Sequence, residues 1–115
     1  MALVTPDYVQ HVAGDSATAT HAAAAVTYTA QTNQRHMIWQ IDYGYSASPA
    51  APGTLKIEDV SGTTVFLLPV TDAGPQQIKF NPPLIGAAVN TAMIVTLSDG
   101  GASVVGYVNV THTEG

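Results

Sequence analysis

The strongest constraint on the fold is a two-residue alternation in the segment HMIWQIDYGY, residues 36–45. A period of two is that of a β-strand with one face against a core and the other turned away from it. The pattern therefore predicts a long strand. Its inward face is expected to carry the large side chains at every second position: Met37, Trp39, Ile41, Tyr43 and Tyr45.

Shorter segments with strand character follow, separated by Gly, Pro and Asp turns. Residues 54–59 and 64–68 flank a turn in which Gly62 can take the positive φ of a tight hairpin. Residues 76–80, 91–98 and 102–112 are further strands, and the Asp99-Gly-Gly sequence predicts a second hairpin between the last two. Two prolines make residues 81–86 irregular in this interpretation. Seven or eight such strands predict an all-β antiparallel sandwich, jelly-roll-like or, alternatively, immunoglobulin-like.

The length of 115 residues is that of one domain. The sandwich is expected to span residues 20–115, preceded by an N-terminal arm or irregular segment at residues 1–19. Residues 18–30 are ambiguous, because four consecutive alanines favour a helix while the β-branched and aromatic residues at 26–29 favour a strand. The absence of a stripe of large residues at helical spacing favours the strand.

Charge is scarce. Only 10% of the residues are charged, the basic residues number three, and the net charge is −5. Nucleic-acid binding requires clustered cations, so neither a nucleic-acid partner nor an anionic membrane surface is expected. No window approaches the roughly 18 apolar residues of a membrane span. The chain has no cysteine, and its N-terminus has no signal-peptide pattern, which together predict synthesis in the cytoplasm.

No catalytic motif is evident. The four histidines, His11, His21, His36 and His112, are not spaced to form a local metal site, so any site would have to be assembled by the fold. Glu58 and Asp59 are adjacent in a strand and point to opposite faces. Neither a Gly-x-Ser-x-Gly nucleophile motif nor a phosphate-binding loop occurs. We expect no enzymatic activity, no cofactor and no metal.

Two predicted strands are apolar on both faces, at residues 65–68 and 93–97. A strand in a two-layer sandwich has one wet face, so a second apolar face predicts cover by a loop or a neighbouring subunit. Depletion of charge is typical of interface centres. The residues predicted to contact another subunit or a capsid are Val65, Phe66, Leu68, Met93 and Val95.

An alternative interpretation concerns the aromatic row of Trp39, Tyr43 and Tyr45. If these rings are exposed, they form a platform for stacking on sugars; if they are buried, they belong to the core. Met37 and Ile41 share their parity, which favours the core for Trp39. The two tyrosines lie near the strand end, where their hydroxyls can reach the rim.

Four segments carry a resemblance to a known family: residues 39–46, 53–57, 81–84 and 92–110, the last reading AMIVTLSDGGASVVGYVNV. Their rhythm of strands and turns resembles the small β-sandwich head decoration, or cement, proteins of tailed bacteriophages. This resemblance implies a structural virion protein, made in the bacterial cytoplasm, that binds the major capsid protein on the capsid exterior, often as a homotrimer. The alternative function is that of a carbohydrate- or receptor-binding module of a phage fibre or spike.

Overall fold

Two four-stranded antiparallel sheets form the fold of residues 15–115, the part of the chain that this computed structural model describes. The predicted all-β sandwich is confirmed. No helix among these residues is long and apolar enough to cross a membrane. The strands are β1 (Ser16–Thr20), β2 (Ala24–Tyr28), β3 (His36–Tyr45), β4 (Gly53–Asp59), β5 (Thr64–Val70), β6 (Gly74–Ile85), β7 (Met93–Leu97) and β8 (Val105–Glu114).

The strand order gives the sandwich a jelly-roll-like connectivity. Sheet A has the order β1-β8-β3-β6 and sheet B has the order β2-β7-β4-β5. From β1 to β8, every step along the chain leads to a strand of the other sheet, except the step from β4 to β5. The chain therefore crosses repeatedly between the layers, and residues distant in sequence become neighbours in each sheet.

The hairpin predicted between residues 54–59 and 64–68 is confirmed as β4 and β5. Gly62 has a φ of 93°, and its backbone N–H donates to the Glu58 carboxylate at 2.7 Å. A residue with a Cβ is strained at such a φ, so the glycine is what permits the tight reversal.

The second predicted hairpin is wrong. The turn itself is present, because the Gly101 N–H donates to the Asp99 carboxylate at 2.8 Å. However, β7 pairs with β2 and β4, whereas β8 pairs with β1 and β3. Both strands are central in their own sheets and have both edges occupied, so the connection passes from one layer to the other.

Side chains from the two inward faces fill the space between the sheets. Met93 and Val95 are 0% exposed there, because sheet A covers the inward face of β7. Their predicted role as contacts to another subunit is therefore corrected: both belong to the core of this chain. The buried apolar residues are Ala24, Val26, Ile38, Ile41, Tyr43, Tyr45, Leu55, Ile57, Val70, Met93, Val95, Leu97, Val104, Val108 and Val110.

A β-bulge in β3 changes which side chains face the core. In the register with β8, His112 and Thr111 are consecutive while their partners are Ile38 and Gln40, so Trp39 is the inserted residue. The register with β6 shifts at the same place. Ile38 and Ile41 are both 0% exposed, whereas Trp39 is 40% exposed. The predicted alternation therefore holds only after the bulge, and the prediction of a core position for Met37 and Trp39 is wrong. A bulge places two residues opposite one on the partner strand, which inverts the alternation on its N-terminal side.

The remaining differences lie at the edges of sheet A. Residues 81–85, predicted to be irregular, are part of β6. The irregularity is present in the pairing, because the register with β3 jumps from Lys79 to Leu84 and both prolines lie in the stretch between them. Prolines are tolerated there because β6 is an edge strand. Most of the predicted arm, residues 1–14, lies outside the described residues, and the next residues already form β1, which pairs with β8.

Candidate functional site

The outward side of sheet A carries two aromatic rings and, between them, a row of amide side chains with one carboxylate. We call it the Trp39 face. Strands β3, β6 and β8 contribute its side chains, which project opposite to the buried positions on the same strands. Its members are Trp39, Gln40, Asp42, Gln77, Tyr107 and Asn109.

Trp39 is presented by the bulge and held by a hydrogen bond. Its indole N–H donates to the hydroxyl of Thr113 on β8 at 2.8 Å. Thr113 is only 9% exposed, whereas the tryptophan is 40% exposed. The ring is therefore fixed in orientation while part of its surface meets solvent. A large aromatic group that is both ordered and exposed is a preferred contact for ligands.

The side chain of Tyr107, on β8, lies over Gly44 of β3. The two residues are register partners in the β3–β8 pair. A Cβ placed on Gly44 would lie 2.7 Å from the Tyr107 Oη and 2.9 Å from its Cζ. The phenol therefore packs down onto the strand in the space that the missing side chain leaves open. The Tyr107 side chain is half-buried in this position.

Polar side chains lie between the two rings. Gln77 donates to the Asp42 carboxylate at 2.8 Å, and Gln40 donates to the same carboxylate at 3.2 Å. Asn109 is the register partner of Asp42 on the other side, and Lys79 is the partner of Gln40. These contacts orient the amides, and their remaining donors and acceptors can bind hydroxyl groups.

The predicted platform of Trp39, Tyr43 and Tyr45 does not form. Tyr43 is 5% exposed and Tyr45 is 1% exposed, both within the core, and only Trp39 is on the surface. The bulge separates them, because the tyrosines follow it and point inward. Tyr43 lines a cavity of about 100 Å³ with Asp72 and Gln76, and burial raises the pKa of its hydroxyl.

Sequence reasoning did not propose Tyr107 as a site residue. The available signal was its parity on the last strand, where it alternates with Val108 and Val110 and is therefore an outward position. Its pairing with Gly44 could not be read from the sequence, because it depends on the register between two strands far apart in the chain.

The predicted contact residues on β5 fall into two groups. Val65 is 47% exposed, and the neighbouring Leu67 is 58% exposed. Phe66 and Leu68 are half-buried against the core, and the Phe66 ring meets Phe80 edge-on at 5.3 Å between centroids. Contact with a partner at Val65 stays a prediction, and Leu67 is the more exposed apolar side chain beside it.

The fold brings together two histidines that the sequence places 76 residues apart. His36 Nδ1 lies 2.9 Å from His112 Nε2, and both side chains are buried. His36 Nε2 donates to the Thr29 carbonyl at 2.8 Å, so when His36 is neutral its Nδ1 accepts a hydrogen bond from the Nε2–H of His112. Among residues 15–115, no three His, Cys, Asp or Glu side chains are grouped to hold a metal ion.

Tyr28 packs on this pair. Its ring stacks on that of His112 at 3.6 Å between centroids, with an interplanar angle of 9°. Burial, followed by the nearby Asp15 carboxylate, raises the pKa of the Tyr28 hydroxyl well above its usual range. These contacts link the end of β2 to the start of β3 and the end of β8.

No protein-family model and no curated protein matches this chain. Among solved structures, a carbohydrate-binding module, CBM4, is 15% identical to this chain, with a TM-score of 0.47. The match covers 81% of this chain and 61% of the length of the CBM4 structure. The Drosophila NLP core, studied for pentamer formation and histone binding, is 16% identical with a TM-score of 0.46, covering 85% of this chain and 95% of its own. The carbohydrate-binding module CBM36, in complex with calcium and xylotriose, is 15% identical with a TM-score of 0.40, covering 87% and 78%.

At these identities the likeness concerns the fold alone, and it transfers neither a ligand nor a partner to this chain. Nothing in these comparisons points to phage head decoration proteins.

Proposed function

We propose that this chain is a non-catalytic glycan-binding module whose ligand lies on the Trp39 face. The observation that carries the proposal is the exposed indole of Trp39, fixed by Thr113, on the same sheet surface as the ring of Tyr107. Aromatic rings of this kind pack against the apolar faces of sugar rings, burying a large area at little cost in side-chain freedom.

The polar groups between the rings support the same function. Binding sites for small organic ligands combine apolar surface with a few oriented polar groups that fix the pose. Asp42 accepts hydrogen bonds, and the amides of Gln40, Gln77 and Asn109 both donate and accept. Sugar hydroxyls likewise donate and accept, so this row suits a polyhydroxylated ligand.

The test uses the fact that Trp39 is the sole tryptophan of the chain. Titration with soluble polysaccharides is expected to change its fluorescence in the unmodified protein. Trp39→Ala and Tyr107→Ala are each expected to weaken binding, measured by calorimetry, by about tenfold or more, which corresponds to about 1.4 kcal/mol. The matched control is Leu67→Ala, an exposed apolar side chain on the opposite sheet, which should bind as the parent does.

Equal affinity of Trp39→Ala and the parent would place the ligand elsewhere. A broad panel of polysaccharides that leaves both the fluorescence and the calorimetric signal unchanged would overturn the proposed function.

A second candidate function is assembly through protein–protein contact, and the exposure of Val65 and Leu67 on β5 favours it. In this proposal the chain is a decoration protein on the capsid exterior, trimeric and bound to the major capsid protein. The partner and the oligomer number rest on the sequence resemblance alone.

This second candidate predicts that the chain co-sediments with empty phage heads and that Leu67→Thr abolishes co-sedimentation. Trp39→Ala, on the other sheet, is the control and should still co-sediment. A strict monomer in light scattering, with no binding to heads, would contradict it.

A further inference from the structure

The length and direction of the Trp39 face define the class of glycan it fits, an inference that rests on the proposed function. Tyr107 lies at the level of Gly44, and Trp39 precedes Gly44 by five residues along β3. At the rise of a β-strand, the two aromatic positions are roughly 15 Å apart. A single sugar ring is too short to contact both. A ligand that uses both rings must therefore run along β3 for several sugar units.

The surface continues beyond Trp39. Met37 and Ile85 are register partners in the next row of the sheet, and Ile85 is 49% exposed. An apolar strip therefore extends past the indole toward the start of β3. A chain lying on the two aromatic rings has further surface to contact in that direction, which suits an internal stretch of a polymer rather than a chain end.

The face offers no excess of positive charge to an acidic glycan. The Asp42 carboxylate lies between the two aromatic positions and is acceptor-only when ionised. Lys79, exposed beside Gln40 on β6, adds one ammonium group to the same face. One cation beside one carboxylate, in a chain of net charge −5, does not attract a polyanion. A neutral sugar can donate hydroxyl hydrogen bonds to Asp42 and accept them from Lys79.

From these three features we infer that the Trp39 face binds an internal segment of a neutral, extended polysaccharide, several sugar rings long, laid along β3 from Tyr107 to beyond Trp39. The open face of a sheet accommodates a ribbon-like chain along its whole length, since the ligand need not enter a closed pocket.

The experiment titrates the chain with cello-oligosaccharides and xylo-oligosaccharides from the monosaccharide to the hexasaccharide, following Trp39 fluorescence. Affinity is expected to rise with length and to level off once both aromatic positions are contacted. Tyr107→Ala should lower hexasaccharide affinity by about tenfold while leaving the disaccharide within about twofold. Leu67→Ala, an exposed apolar side chain on the opposite sheet, is the control and should bind both as the parent does. Polygalacturonate, an acidic polymer, should not bind.

The outcomes separate this inference from the proposed function. If a monosaccharide binds as tightly as the hexasaccharide and Tyr107→Ala has no effect on either, glycan binding stands and the extended ligand is overturned. Tight binding of polygalacturonate would overturn the neutral class. If no sugar of any length changes the fluorescence or produces heat, the proposed function itself fails.

Discussion

Tyr45 lies at one end of the core, where several glycines make room for its ring. It is 1% exposed, and its hydroxyl donates to the Ser98 carbonyl at 2.8 Å. A Cβ on Gly100 would lie 2.6 Å from Val104 Cγ1 and 2.8 Å from Tyr45 Cδ1. The missing side chain of Gly100 therefore leaves the space that Val104 and Tyr45 occupy.

This packing predicts that Gly100→Ala lowers the free energy of unfolding by about 1–3 kcal/mol, the usual cost of overpacking a core. Urea denaturation of the two proteins measures the difference. Gly86→Ala is the matched control, because a Cβ there meets its nearest neighbour at 3.6 Å, an ordinary contact. A Gly100→Ala variant as stable as the parent would show that the ring and Val104 adjust without cost.

Among the elements, β5 and β7 looked alike in sequence and have different environments. Both are apolar on successive positions, yet β7 is central in sheet B and β5 is at its edge. Val95 on β7 is 0% exposed, whereas Val65 on β5 is 47% exposed. Their contributions to stability should differ accordingly.

Valine-to-threonine substitution tests this difference at nearly constant volume. Val95→Thr buries a hydroxyl in the core and is expected to cost about 1–3 kcal/mol of unfolding free energy. Val65→Thr, the matched control on the surface, should change it by less than about 0.5 kcal/mol. If Val95→Thr kept full stability and instead altered the oligomeric state in light scattering, the placement of Val95 in the core would be contradicted.

The boundaries of the elements were largely predictable from the sequence, whereas the choice of which β3 side chains face the core was not. The predicted strand at residues 36–45 coincides with β3, His36–Tyr45. Its alternation fails because the pairing with β8 inserts a bulge at Trp39, whose indole then reaches Thr113. A bulge depends on the partner strand, so no local pattern in the sequence reveals it.

For the whole molecule, two tyrosines couple stability to alkaline pH. Burial raises the pKa of both Tyr28 and Tyr43, with Asp15 adding to the shift at Tyr28. The unfolded chain releases these protons near the ordinary value of about 10, whereas the folded chain retains them to higher pH. Their contribution to stability is therefore fully present below pH 10 and is lost as the pH rises above it toward the folded pKa values.

Urea denaturation between pH 8 and pH 12 should accordingly show stability falling above about pH 10. Each tyrosine contributes at most about 1.4 kcal/mol per pH unit, and less where solvent still reaches the ring. In Tyr28→Phe, the free energy of unfolding, taken relative to its own value at pH 7, should fall less steeply with pH than in the parent. An unchanged slope in Tyr28→Phe would show that the hydroxyl ionises equally in both states.

Composition and periodicity by themselves determined that the chain forms strands, where most of them begin and end, and that β4 and β5 make a hairpin. These properties are local, since alternation and turn residues act within a few positions. Trp39 was also identified as a candidate site residue from the sequence.

Only the tertiary structure decided which side of sheet A each aromatic ring occupies, that Tyr107 lies over Gly44, that His36 meets His112, and that β7 and β8 belong to different sheets. Each of these depends on register and strand order between segments far apart in the chain. Shifting a strand by one residue reverses all its side chains, so the set of side chains on the Trp39 face is determined by strand pairing and not by the pattern of any single strand.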